Sequence, residues 1–240
     1  MIDVSHSPRQ NHLLDALPRE QWERWQSHLE FADMRLGAVL YEPGTTLSHV
    51  YFPTTAIISL LYVMKNGESA EIAVVGNEGV VGVSLFMGGG STSSRALVQS
   101  AGGAYRLSAE LMQREFDRAG PVLHLFLRYT QALMTQMVQT AACNKHHSLD
   151  QQLCRWLLLS LDRLQGTEML MTQKLIAHML GVSEDVATEG ALQLKNAGLI
   201  DYKDGRIRVR DRRALERRSC ECYAVVKGEY ERLLPLRLAA

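Results

Sequence analysis

The chain has 240 residues, 46% of them apolar, and 26 basic side chains balance 26 acidic ones. That length allows one large domain or two ordinary ones, and the apolar content is enough to build cores. No run of about 18 uncharged apolar residues would span a bilayer, and residues 1–14 lack the charged-then-apolar layout of a leader. Four cysteines without a repeating framework suit a reducing compartment. The expected location is therefore the cytoplasm, with no membrane partner.

The neutral total conceals an asymmetry. Residues 1–141 carry 13 acids against 10 bases, and residues 142–240 carry 16 bases against 13 acids. The excess is concentrated in Lys203, Arg206, Arg208, Arg210, Arg212, Arg213, Arg217 and Arg218. Such a run is either a solvated face or the footprint of phosphate contact.

In chain order, Pro18–Trp22 reads as a helix start. Residues from about 34 to 107 then break into short β-rich runs: Val50–Phe52, Ile57–Val63, Ala70–Val75 and Ala96–Gln99. Glycine-containing turns separate them, and Asn66–Gly67 between two apolar runs is a strong hairpin signal. Evenly spaced short strands predict a small antiparallel barrel or jelly roll. A metal-dependent catalyst would need a clustered set of histidines and carboxylates on the strands, and the roll offers His49 as its one histidine, so no enzyme is expected.

From Ser108 the period becomes helical. A short helix over Ala109–Ala119 ends at Gly120–Pro121, and a helix of roughly 25 residues follows. In it Leu123, Phe126, Leu127, Thr130, Leu133, Met134, Met137, Val138 and Ala141 recur at three and four. A stripe of that length calls for a cover, which either the roll alone or, as expected here, a second copy of the chain would supply. Phe126, Leu133 and Met137 are the expected dimerisation residues. After Ser148, Leu149, Leu153, Trp156, Leu157 and Leu161 mark another helix, which Gly166 closes.

Residues 171–209 carry the clearest motif. Thr172 caps a short helix with Leu175, Ile176 and Met179 on its buried side and Ala177 as its small contact position. Gly181 supplies the turn, and Ser183 caps a second helix with Val186, Ala187, Gly190, Ala191 and Leu194 inward. Asp204–Gly205 turns a hairpin whose far strand, Arg206–Arg210, alternates basic and apolar. Cap, small residue, turn glycine, second helix and basic wing in this order predict a winged helix-turn-helix, with double-stranded DNA as partner. The predicted DNA-binding residues are Thr172, Ser183, Glu184, Asp185, Thr188, Glu189, Gln193, Lys195, Lys203, Arg206 and Arg208. Acids stand where a groove reader would be expected to carry arginine: Glu184, Asp185 and Glu189. The alternative reading is therefore a dimeric sensor or protein-interaction module whose helix-turn-helix has lost specific DNA binding.

Tyr41–Gly44, Val50–Pro53, Gly79–Gly82, the long helix and the winged helix-turn-helix together resemble the cyclic-AMP receptor/FNR (Crp/Fnr) superfamily of bacterial transcription regulators. The resemblance implies an α+β chain with an N-terminal β-roll of the cyclic-nucleotide-binding type over residues 1–120, and a dimerisation helix over 121–147. A DNA-binding domain would then span 148–240. It also implies a homodimer, a palindromic operator and RNA polymerase as a further partner. The sequence departs from the family at both ends. Gly82 is followed by Val83 rather than the glutamate that would hold a ribose, and Arg95 stands one residue out of register with the phosphate arginine. Gly82, Ser94 and Arg95 remain the effector candidates, but cyclic AMP is not the expected ligand. The Gly88–Arg95 loop either offers backbone amides to an anion or is a plain glycine-rich hairpin.

The sequence names no particular cofactor. An FNR-type cluster needs cysteines near the N-terminus, and the first here is Cys143. Neither His49 nor His124 is singled out as a haem ligand. Cys220-x-Cys222 lacks clear partners, so no metal site is expected, and Cys143, His146 and His147 read as polar packing at the end of the long helix.

Overall fold

The computed structural model describes residues 7–164 and 166–234; the first six residues of the leader reading lie outside it. After short helices α1 (His12–Asp15) and α2 (Arg19–Trp25), the chain forms a roll of two antiparallel sheets. In one, β7 (Gly102–Ser108) lies between β1 (Glu30–Met34) and β3 (His49–Pro53). In the other the order is β2 (Val39–Tyr41), β6 (Ser94–Ser100), β4 (Ile57–Val63) and β5 (Ser69–Val75). Gly67, at φ +87°, closes the β4–β5 hairpin that Asn66–Gly67 predicts. A ring cluster of Trp25, Phe52, Phe86, Phe116 and Phe126 fills the junction of roll and helices, with Phe86 and Phe116 stacked at 4.5 Å.

β4 is buried from Ile57 through Leu61 because it lies between neighbouring strands in a sheet whose edge strand, β5, is itself covered by helices. Buried strands of this kind read as continuous apolar runs. The interruption, Ser59, is fully buried and satisfied: its hydroxyl lies 2.6 Å from Glu71 and 2.7 Å from Gln99, and Gln99 donates to Ser160. Burial pushes the Glu71 carboxyl up to about 7, against smaller opposing effects of the Ser59 hydrogen bond and the Arg155 and Arg163 charges.

Helix α3 (Val83–Phe86) precedes β6, and α4 (Ala109–Asp117) is capped by Ser108. The long helix α5 (Pro121–His146) opens with proline at its first position, where the missing N–H costs nothing. Its stripe divides into two faces. Phe126 and Leu133, expected at a dimer interface, are 0% and 1% exposed and belong to this chain's own core, while Met137 is half-buried. The apolar side chains left open are Leu127, Met134 and Val138, at 50%, 57% and 64% exposure. Their spacings of seven and four keep them on one side of the helix.

Helix α6 (Leu149–Leu161) begins with a capping box between Ser148 and Gln151. It is buried along most of its length, because α8, α9 and α10 all pack on it. The remaining elements are β8 (Glu168–Leu170), α7 (Gln173–Leu180), α8 (Glu184–Asn196), β9 (Ile200–Lys203), β10 (Arg206–Val209), α9 (Arg212–Arg218) and α10 (Glu221–Leu233). Strand β8 was not foreseen, since three residues are too few to display a period.

A buried polar seam ties the roll to the helices. Arg163 Nε donates to Glu78 at 2.7 Å, Nη1 to the Leu159 carbonyl and Nη2 to Gln136. Tyr230 of α10 donates to the same Gln136 oxygen, and Gln136 donates to the Val74 carbonyl of β5. Gly76 is glycine for room: a Cβ there would stand 2.6 Å from the Arg163 side chain.

Candidate nucleic-acid interface

The site begins with two capped helices. Thr172 accepts from the Leu175 amide at the start of α7, and Ser183 accepts from the Val186 amide at the start of α8. Between them Gly181 adopts φ +67°, a left-handed turn that favours glycine. Ile176, Ala177 and Met179 face inward from α7, with Leu175 half-buried. From α8 the inward residues are Ala187, Gly190, Ala191 and Leu194. Val186, expected inward, is 41% exposed, since the inward stripe begins one residue later at Ala187.

The wing is a three-stranded sheet in the order β8-β10-β9, with Arg206 opposite Lys203. Asp204 and Gly205 both have positive φ, 52° and 70°, as a two-residue hairpin turn of type I′ requires. Along β10 burial alternates: Arg206 and Arg208 are exposed, Ile207 and Val209 buried. The wing turn rests against the start of α7, where the Met171 amide donates to the Gly205 carbonyl.

The outer surface of α8 is acidic. Glu184, Asp185 and Glu189 are exposed, as are Gln193 and Lys195. Thr188 is half-buried and donates its hydroxyl to the Glu184 carbonyl, so it is committed to the helix itself. Beside the end of α8 a concavity of about 450 Å³ is lined by Lys195, Lys203, Arg206 and Arg208, with Glu168, Asp201 and Asp204 on the same walls. At the other end, the start of α8 opens on a crevice of about 700 Å³ whose far wall is the β4–β5 hairpin. The turn glycine is close to the roll: a Cβ on Gly181 would lie 3.7 Å from Ala70.

The basic run is less uniform than its sequence suggests. Arg208 pairs with Glu168, Arg210 with Asp201, Arg212 with Asp162 and Arg218 with Asp150. The last two fasten α9 to α6 and its following turn, so they serve the domain's packing. Among the described residues, Lys203, Arg206, Arg213 and Arg217 have no ion-pair partner.

The effector candidates do not form an obvious anion site. Arg95 is held by Glu42 at 2.8 Å, and the Ser94 and Thr92 hydroxyls bond to each other. Gly82 takes φ +104° at the start of α3 and packs against Val50. In the glycine-rich loop, the amides of Gly89 and Gly90 donate to the Ser84 carbonyl and that of Ser91 to Gly89. An anion there would have to displace these bonds, which favours the plain hairpin.

The expectation that Cys220-x-Cys222 lacks partners is overturned. Cys143 and His147, from the end of α5, come to lie beside Cys220 and Cys222 at the start of α10. The pairing spans about 75 residues and leaves no local pattern to read, although Cys143 and His147 at i, i+4 was a visible half of it.

Residues 151–218 match the family model for a Crp-like helix-turn-helix domain. Among solved structures the chain is similar to FixK2 from Bradyrhizobium japonicum, at 15% identity and a TM-score of 0.67 over 80% of this chain and 98% of that one. A CRP-family transcriptional regulator from Thermus thermophilus is similar at 18% identity and a TM-score of 0.65, over 78% and 96%. The c-di-GMP-responsive global regulator CLP of Xanthomonas campestris is similar at 15% and 0.61, over 81% and 100%. No curated protein matches the sequence.

Proposed function

We propose that the chain, which carries a Crp-like helix-turn-helix domain over residues 151–218 and shares its fold with Crp/Fnr regulators, is a homodimeric, signal-controlled transcription regulator that binds double-stranded DNA. The observation that carries this reading is the complete winged helix-turn-helix, with the outer face of α8 open and the wing cations beside it. Two copies would meet through Leu127, Met134 and Val138, the apolar residues that α5 leaves uncovered. A twofold pair of α8 helices then calls for a palindromic operator with half-sites about one DNA turn apart.

Phosphate contact falls to Thr172, Ser183, Lys195, Lys203, Arg206 and Arg208. The Arg208–Glu168 pair is exposed, so a phosphate can replace the carboxylate at small cost. Base reading falls to Glu184, Asp185, Glu189 and Gln193, with Thr188 supporting the helix. A glutamate only accepts, from cytosine N4 for instance, so the operator differs from one read by arginine. Val186 adds an exposed apolar surface suited to a thymine methyl group.

Control would pass from roll to reader through two contacts, the Gly181–Ala70 approach and the Arg163–Glu78–Gln136 seam. A ligand acts by binding one arrangement of these contacts more tightly than another. Val83 after Gly82 and the Glu42-bound Arg95 argue against cyclic AMP as that ligand. The reading has no catalytic role, in keeping with the regulators the chain is similar to.

The test is binding to a random DNA pool at several salt concentrations. Salt-sensitive retention with enrichment of inverted repeats is expected. Retention of no DNA at low salt would leave the helix-turn-helix as an interaction module and overturn the reading.

A further inference from the structure

At the foot of α5 four side chains meet that the DNA-binding account does not use. Cys143 Sγ lies 3.5 Å from Cys220 Sγ, and Cys222 Sγ lies 3.6 Å from His147 Nδ1. All four ligand atoms fall within 4.8 Å of one another, and all three cysteines are buried. A tetrahedral zinc with bonds of roughly 2.3 Å to sulfur and 2.0 Å to nitrogen sets S···S edges of roughly 3.8 Å and S···N edges of roughly 3.5 Å. The two measured edges lie within a few tenths of these.

We propose that Cys143, His147, Cys220 and Cys222 form a structural zinc site that fastens the end of the long helix to the start of α10. Four protein ligands and no open position mark such a site as structural. Local geometry explains the compact ligand set. Cys143 and His147 are one helical turn apart, and Cys220 is the extended cap residue from which Cys222 enters the next helix.

Two further observations point to a cation. His147 presents Nδ1 to the cluster while its Nε2 lies 3.3 Å from Glu221. A carboxylate on the far nitrogen is the arrangement that orients a metal-bound imidazole. Nearby, Arg155 is 3% exposed and bonds to Thr140, its Nε has no partner, and no carboxylate lies within ion-pair distance of it among the described residues; Glu71, on which its charge also acts, is held toward the protonated form by burial. Its charge acts on both Cys143 and Cys222. Zinc with three thiolates and one imidazole carries a net charge of −1, which this arginine would balance.

A thiol–disulfide switch fits less well, since a bond between Cys143 and Cys220 would leave Cys222 and His147 unused, whereas a metal engages all four converging ligand atoms. The fourth cysteine, Cys154, is buried outside the cluster and serves as the control.

The test is the metal content of the full-length chain, purified reduced, without chelator or a histidine tag. About one zinc per chain is expected, retained in Cys154→Ser and lost in Cys143→Ser/Cys222→Ser. Glu221→Gln should weaken retention against a chelator by about tenfold to a hundredfold. Should the double variant misfold, cobalt in the unaltered chain decides: uptake should give the visible bands of a tetrahedral thiolate complex. Absence of both zinc and cobalt uptake would overturn the site. So would iron with acid-labile sulfide, or full zinc in a folded double variant. None of these readouts depends on DNA binding.

Discussion

Two arginine–carboxylate pairs in this chain have the same chemistry and opposite surroundings. Arg163 and Glu78 meet at 2.7 Å with side chains 5% and 11% exposed, while Arg208 and Glu168 meet on the wing at 60% and 44%. The buried pair is surrounded by acceptors placed for it, including the Leu159 carbonyl and Gln136. Breaking it strands a charge away from water. The exposed pair is screened and exchangeable, so its arginine can leave the carboxylate for a DNA phosphate. Burial thus separates ion pairs that hold the architecture from those free to recognise a partner.

The largest effect is expected from Arg163→Ala, which leaves Glu78 without its cation. Chemical denaturation should show a loss of about 3–5 kcal/mol. Arg208→Ala should cost less than about 1 kcal/mol in the same measurement. Equal losses would erase the distinction between the two regions.

Next comes the open face of α5. Met134→Glu with Val138→Glu places charge on the proposed twofold surface without touching the core, because both side chains are exposed. Sedimentation should shift from dimer to monomer while circular dichroism stays unchanged. A dimer that persists would move the interface elsewhere.

Glu71 tests the buried Ser59–Gln99 network through pH. Its folded carboxyl is raised from the ordinary 4.5 to about 7, so the fold favours the protonated form. The stability this contributes is fully present below pH 4.5 and is lost as pH rises through about 7. Glu71→Gln should flatten that fall, by a difference on the order of 1–3 kcal/mol across the window. An unaltered pH profile would show that Glu71 ionises without cost.

The smallest stability effect belongs to the wing. Arg206→Ala with Arg208→Ala should leave the fold unchanged and weaken binding to all DNA sequences. The salt slope should become shallower by about 0.9 for each phosphate contact removed. An unchanged slope would remove the wing from the interface.

How far the sequence was legible follows the range of the interactions. Thr172, Gly181, Ser183 and Asp204–Gly205 were readable because caps and tight turns are set by neighbours in sequence. The turns that space the roll's short strands, among them the Asn66–Gly67 hairpin, were readable for the same reason. Phe126 and Leu133 were misassigned because a helical stripe reveals that a face is covered, not by what. The true partners of Phe126, such as Phe52 and Trp25, come from a strand and a helix far earlier in the chain. Val186 was misplaced by one residue at the edge of its stripe. The pairing of Arg210 and Arg212 with Asp201 and Asp162, and the meeting of Cys143 with Cys220, needed the fold itself.

The central claim is that this acidic helix-turn-helix reads DNA as a dimer, and selection from a random duplex pool tests it most directly. The account predicts enrichment of inverted half-sites about one helical turn apart, with a sequence that changes when Glu184 and Glu189 are replaced by Arg. A natural chain that retains no DNA at any salt concentration, while the double Arg variant does, would contradict it.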